Sequence, residues 1–326
     1  LLQSLLWNLP MKTLTPISRR NFFQFSGGLL AAGGMPGLLL AAGQKRRAIT
    51  KPNAKPLFEI SLAQWSLHKA FFGKRLNPTN FPKITKSFGI TGIEFVNQFY
   101  KDKKNDNGYF ESLKKQVDGE GTKSLLIMCD GEGYLGDADT AKRKTAVKNH
   151  HAWVDNAKIL GCHSIRVNAY STGTFEEQQE RAAEGLNQLA EYGAKQDINI
   201  IVENHGGLSS NGEWLAGVMK KANNPRVGTL PDFGNFNLGD NKQYDRYKGV
   251  EEMMPFAKGV SAKSHDFNEK GDEVNTDYIK MMKIVLKANF HGFVGIEYEG
   301  SKLGEEEGIV ATKKLLERVR EELSKA

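Results

Sequence analysis

The sequence predicts a (β/α)8 TIM barrel, a single α/β domain over residues 58–326, on three observations. First, short β-branched runs begin near Ile60, Thr91, Lys123, His163, Ile198, Arg226, Lys258 and Gly292. Their separations of 31, 32, 40, 35, 28, 32 and 34 residues each match one βα unit. Second, Ile198-Asn199-Ile200-Ile201-Val202 is a near-continuous apolar run, as a parallel strand covered on both faces requires. Third, the intervening segments carry helical spacing. Trp153, Ala157 and Leu160 form one stripe, Ala182, Leu186, Leu189 and Ala190 another, and Leu315, Val319 and Leu323 a third. Gly161 and Gly193 fall where left-handed caps would end two of these helices. An open doubly wound sheet is the alternative. It normally shows a Gly-rich phosphate turn after its first strand, and here that strand ends Gln64-Trp65-Ser66-Leu67-His68.

The chain has 326 residues, 39% hydrophobic and 25% charged, which is enough apolar material for a full core. Two cysteines, Cys129 and Cys162, exclude a disulfide-dense scaffold and read as small buried hydrophobes. The net charge of +7 is concentrated at one end. Residues 1–58 hold Lys12, Arg19, Arg20, Lys45, Arg46, Arg47, Lys51 and Lys55 and no acidic residue. Removing those eight leaves 37 basic against 38 acidic side chains, so the folded part carries −1 and gives no electrostatic case for nucleic acid.

Ser18-Arg19-Arg20-Asn21-Phe22-Phe23 precedes a weakly apolar stretch from Phe25 to Ala42, followed by small residues at Ala41-Ala42-Gly43. Residues 1–43 thus resemble a twin-arginine export signal, with Met11 as a plausible start, and imply the export machinery as partner and a periplasmic destination. Five glycines and Pro36 within the stretch argue against a membrane span. Residues 44–57 read as a linker.

Barrels carry their chemistry at the carboxyl ends of the strands. The fifth predicted strand ends in Glu203-Asn204-His205 and the sixth in Asp232-Phe233-Gly234-Asn235. The seventh ends in Lys263-Ser264-His265-Asp266 and the eighth in Glu297-Tyr298-Glu299. Glu203, Asp232, His265 and Glu297 therefore face one mouth from four consecutive strands. Three carboxylates and an imidazole make a hard, oxygen-dominated set, suited to one divalent ion such as Mn²⁺, Mg²⁺ or Co²⁺, with Zn²⁺ as a further option. Their mutual repulsion in a low-dielectric mouth is relieved by such an ion.

This order of Glu, Asp, His and Glu resembles the xylose-isomerase-like barrel superfamily. Ile201-Val202-Glu203-Asn204-His205-Gly206-Gly207 and Ala262-Lys263-Ser264-His265-Asp266-Phe267 are most similar to its sugar phosphate isomerase/epimerase branch. The resemblance implies that Glu203, Asp232, His265 and Glu297 bind the metal and that Glu203 and Glu297 exchange the substrate proton. One departure is Asn235, where relatives often carry a histidine three residues after the aspartate. It argues against a multi-zinc nuclease and against an identical substrate pose.

Further candidates come from strand parity. His205 lies two residues past Glu203 and Lys263 two before His265. Arg166 and Asn168 share a face at the end of the fourth strand, and Gln64 and Trp65 close the first. Each suits binding of a hydroxyl, carboxylate or sugar ring, and each also has an ordinary structural reading as an ion-pair member or barrel plug. Glu94 and Asn97 are weaker candidates, and His150 and His151 are expected near the surface of a helix. The expected function is a metal-dependent isomerase or epimerase acting on a free or oxidised sugar through an enediolate. A lyase acting on a 3-keto sugar or glycoside is the alternative, and a non-catalytic sugar-binding barrel a remote one.

Overall fold

Parallel pairing in register builds the core of the molecule, a computed structural model that describes residues 55–325. The export signal expected over residues 1–43, and most of the linker expected over 44–57, lie outside them. The strands β1 (Glu59–Ala63), β2 (Gly92–Val96), β3 (Lys123–Met128), β4 (Ser164–Val167), β5 (Asn199–Glu203), β6 (Val227–Leu230), β9 (Val260–Ser264) and β10 (Phe293–Tyr298) form one eight-stranded sheet. Its order is β6-β5-β4-β3-β2-β1-β10-β9. The two edges meet through bridges between Thr229 and Ala257 and between Asp232 and Ser261. The Ser261 amide donates to the Pro231 carbonyl at 2.9 Å and the Phe233 amide to the Ser261 carbonyl at 3.1 Å, which closes the barrel. The expected strand starts fall within two residues of the observed ones.

The crossovers are helical, as the apolar spacing requires. The first holds two short helices, α1 (His68–Phe72) and α2 (Phe81–Ser87), where the sequence suggested one. The others are α3 (Asn107–Gly119), α4 (Thr140–Leu160), α5 (Phe175–Gln196), α6 (Gly212–Ala222), α7 (Arg246–Met253), α8 (Tyr278–Lys287) and α9 (Glu305–Leu323). Side chains accepting from first-turn amides start most of them: Asp106, Asp139, Asn211, Asp245, Asp277, and Thr174 in a reciprocal box with Glu177. A hairpin absent from the sequence reading, β7 (Asn237–Gly239) with β8 (Lys242–Gln243), follows β6. Asp240 and Asn241 both adopt positive φ in its turn, and these are the residue types that tolerate it.

Outward-facing strand residues such as Phe95, Val167, Val202 and Ile296 pack under the helices. Ala63, Val96, Leu126, Met128, Ile201 and Leu230 plug the interior. Gly161 caps α4 with φ of 76°, as expected. Gly193 does not cap α5, which runs on to Gln196 and ends at left-handed Asp197. His150 is buried, not superficial, with Nδ1 2.7 Å from the Ala146 carbonyl, while His151 stacks on Tyr192. Both cysteines are buried and free.

Gly185 shows how tightly α5 is seated. A Cβ there would stand 1.9 Å from the Leu135 carbonyl oxygen, a backbone atom that cannot swing aside. Gly185→Ala is expected to destabilise the barrel by about 1–3 kcal/mol through forced displacement of the helix. Urea unfolding measures it, and an unchanged midpoint would contradict this packing.

Candidate active site at the barrel mouth

Strand alternation sends every second residue inward, and in this barrel many inward residues are polar. Ser61, Glu94, Arg166, Glu203, Asp232, Ser261, Lys263 and Glu297 are all buried there. Glu203, Asp232 and Glu297 each place a carboxylate oxygen within 4.8 Å of the others. Oxygens bound to one divalent ion at roughly 2.0–2.6 Å stand no more than about 5 Å apart, so this spacing suits a metal. The Glu203 Oε2 atom is buried and accepts no hydrogen bond. These three carboxylates fit a hard divalent ion.

The expected fourth ligand does not join them. His265 lies on the same face of its strand, but its ring nitrogens are outside the group. Register explains this: Glu297 is paired with Lys263, and Asp232 bridges to Ser261, so His265 stands one layer further out. Lys263 takes the level assigned to it. Its Nζ donates to Glu297 Oε1 at 2.7 Å and to Glu299 Oε2 at 2.6 Å, with 3% of the side chain exposed. The surrounding carboxylates, led by Glu297, hold its pKa well above the usual lysine value against the opposing effect of burial.

Each carboxylate has its own surroundings. Asp232 Oδ1 accepts from the amides of Gly234 and Asn235, both at 2.8 Å, and Oδ2 from Ser261 Oγ at 2.8 Å. Asn204 pins this turn, accepting from the Asp232 amide at 2.7 Å and donating to the Asp232 and Asn235 carbonyls. Glu203 accepts from Asn235 Nδ2 at 3.3 Å. Its Oε2 lies 2.7 Å from Arg166 Nε, yet the N–H is not aimed at it, so the contact is an ion pair without a hydrogen bond. Burial raises both Glu203 and Asp232 to about 7. The Arg166 charge opposes the shift at Glu203, and Lys263 opposes it at Asp232.

Two rim groups escaped the sequence reading. Asp130 accepts from Arg166 Nη1 at 2.8 Å and Asn168 Nδ2 at 2.7 Å, and the Arg166 charge outweighs burial to hold its carboxyl well below the usual range. Glu299 accepts from Lys263 and from the Trp65 indole, and stays near 2 for the same kind of reason. Both sit two residues beyond an inward-facing strand residue, so parity alone was a signal for them. Trp65 lies half-buried at the mouth and stacks on His68 with centroids 4.8 Å apart. His205 is exposed on the rim, its pKa lowered by partial desolvation and by Arg166. Gln64 does not face a substrate as expected: it is fully buried, its amide donating to Tyr100 and accepting from the Val96 amide.

Beneath the mouth, Glu94 accepts from Ser61 Oγ at 2.6 Å and leaves Oε2 without a partner. Burial lifts its pKa from 4.5 to about 8. The folded chain thus keeps a proton that the unfolded chain releases at ordinary acidity, and stability falls as pH rises through that window. Glu94→Gln, already neutral, is expected to flatten the decline between about pH 5 and about pH 8. Urea midpoints at the two pH values check this, and an unaltered slope would count against it.

Buried carboxylates from the fifth, sixth and eighth strands of a closed parallel barrel meet at the mouth, the end at which TIM barrels carry their chemistry. The chain belongs to the xylose isomerase-like TIM barrel family, whose profile matches residues 82–320. The fold is similar to that of a 3-keto-D-glucoside 4-epimerase from E. coli, with TM-score 0.64 and 13% identity, covering 80% of this chain and 99% of the other. It is also similar to a sugar phosphate isomerase/epimerase from Parabacteroides distasonis, with TM-score 0.63, 16% identity, and coverage of 82% and 96%. A third is a xylose isomerase-like TIM barrel protein from Mycobacterium smegmatis in complex with magnesium, with TM-score 0.59, 14% identity, and coverage of 81% and 96%. No curated protein matches the chain in sequence.

Proposed function

We propose that this chain is a carbohydrate isomerase or epimerase that moves a proton on the carbon beside a carbonyl. The observation that carries the reading is the meeting of Glu203 and Glu297 with Asp232 in one buried cluster at the mouth. A carbon-bound proton is removed by one glutamate, the C–H electrons pass toward the carbonyl oxygen, and an enediolate results. Return of a proton to the opposite face of the same carbon epimerises the sugar, and return to the neighbouring carbon isomerises it. In the absence of an ion, burial brings the Glu203 carboxyl near 7, where both protonation states are within reach at neutral pH. A divalent ion held by Glu203, Asp232 and Glu297, with Mn²⁺, Mg²⁺ or Co²⁺ suited to such oxygens, would supply positive charge for the developing oxyanion.

The rim residues orient the sugar in this reading. Asp130 locks Arg166 and Asn168, leaving the remaining guanidinium and amide hydrogens for substrate oxygens. His205 and Asn235 border Glu203, and Trp65 offers an aromatic face to a ring. The proposal includes export by the signal over residues 1–43. Outside the cytoplasm a free or oxidised sugar is the expected substrate, because sugar phosphates are scarce there. Keto sugars incubated with the purified chain in deuterated water, followed by NMR, test the chemistry. Loss of a carbon-bound proton signal with a stereoisomer or isomer as product supports it. An unsaturated product assigns the site to elimination instead, and a complete absence of exchange sets the proposal aside.

A further inference from the structure

We propose that Lys263 is the carboxylate cluster's own cation, and that a divalent ion must compete with it for Glu297. Four features of the fold place its ammonium there. Register sets Lys263 level with Glu297, where β9 contributes to the layer of the cluster. Its Nζ bridges Glu297 and Glu299 at 2.7 and 2.6 Å, which uses two of its three N–H bonds. Its stem lies where Gly234 has no side chain: a Cβ on that glycine would stand 2.6 Å from Lys263 Cγ. The Tyr278 hydroxyl also donates to the Lys263 carbonyl at 2.8 Å and to that of Ala262 at 3.1 Å, holding the strand end in place.

The charge balance follows from these positions. Glu203, Asp232 and Glu297 would carry three negative charges, against which Lys263 faces Glu297 and Arg166 faces Glu203. A cation arriving at Glu297 meets a carboxylate whose Oε1 already binds an ammonium, and the two positive charges repel across that one group. Ion binding and the Lys263–Glu297 bond therefore oppose each other, and Glu299 is the partner Lys263 retains as it gives way. The third N–H of Lys263 remains for an oxygen of the substrate, as a point-charge donor. That role rests on the function proposed above, whereas the competition for Glu297 does not.

Mn²⁺ titration of the purified chain, followed by electron paramagnetic resonance of the free ion, tests the competition without any activity measurement. Lys263→Met keeps most of the stem and its seat on Gly234 but removes the charge. The expected result is one Mn²⁺ per chain bound at least ~100-fold more tightly by Lys263→Met than by the unmodified chain. Equal affinity in the two, within about threefold, overturns the proposal. Should that variant fail to fold, Lys263→Gln is titrated in its place and the same two outcomes decide. A failure of every keto sugar to exchange would remove the proposed reaction and leave this measurement standing.

Discussion

Glu203→Gln is expected to lower carbon-bound proton exchange by ~10²–10⁴-fold, the usual contribution of a general acid–base group. The amide is nearly isosteric, so Asn235 can still reach the retained carbonyl oxygen, and the strand keeps its register with β6. What disappears is a carboxyl that burial has brought near neutrality. The change should fall mainly on kcat, since the glutamate acts on the reacting carbon and not on the sugar's recognition groups. Exchange rates by NMR, with circular dichroism to confirm the fold, measure it. Full exchange in the variant would remove Glu203 from the reaction.

Arg166→Met is expected to cost about 3–5 kcal/mol of stability, because it strips the partner from two carboxylates at once. Arg166 has 4% of its side chain exposed and lies 2.8 Å from Asp130 and 2.7 Å from Glu203. Methionine fills much of the volume but leaves Glu203, fully buried, without its nearest positive charge. Adding Glu203→Gln should recover part of the loss, since the double variant no longer buries that charge alone. Urea unfolding of the single and double variants reads both effects. A loss below about 1 kcal/mol would show that the carboxylates discharge or hydrate more easily than this burial implies.

Periodicity alone located the eight barrel strands, because apolar runs and turn spacing are local properties of the chain. Strand parity then placed Glu203, Asp232, Lys263 and Glu297 at one mouth, since side-chain direction alternates wherever a strand exists. Parity does not state depth. His265 and Lys263 share a face, and only pairing with β10 shows which of them is level with Glu297. Gln64 failed for a related reason: where β1 ends and a helical turn begins, alternation stops, and its amide turns to Tyr100 and Val96.

The sequence by itself thus determined the barrel's repeat and the acidic character of its mouth, both written in residue spacing. Tertiary structure alone decided which charges touch: Arg166 with Glu203 and Asp130, and Lys263 with Glu297 and Glu299. Those contacts join residues far apart in the chain. Their distances depend on how the sheet closes and staggers, and no local pattern encodes that geometry.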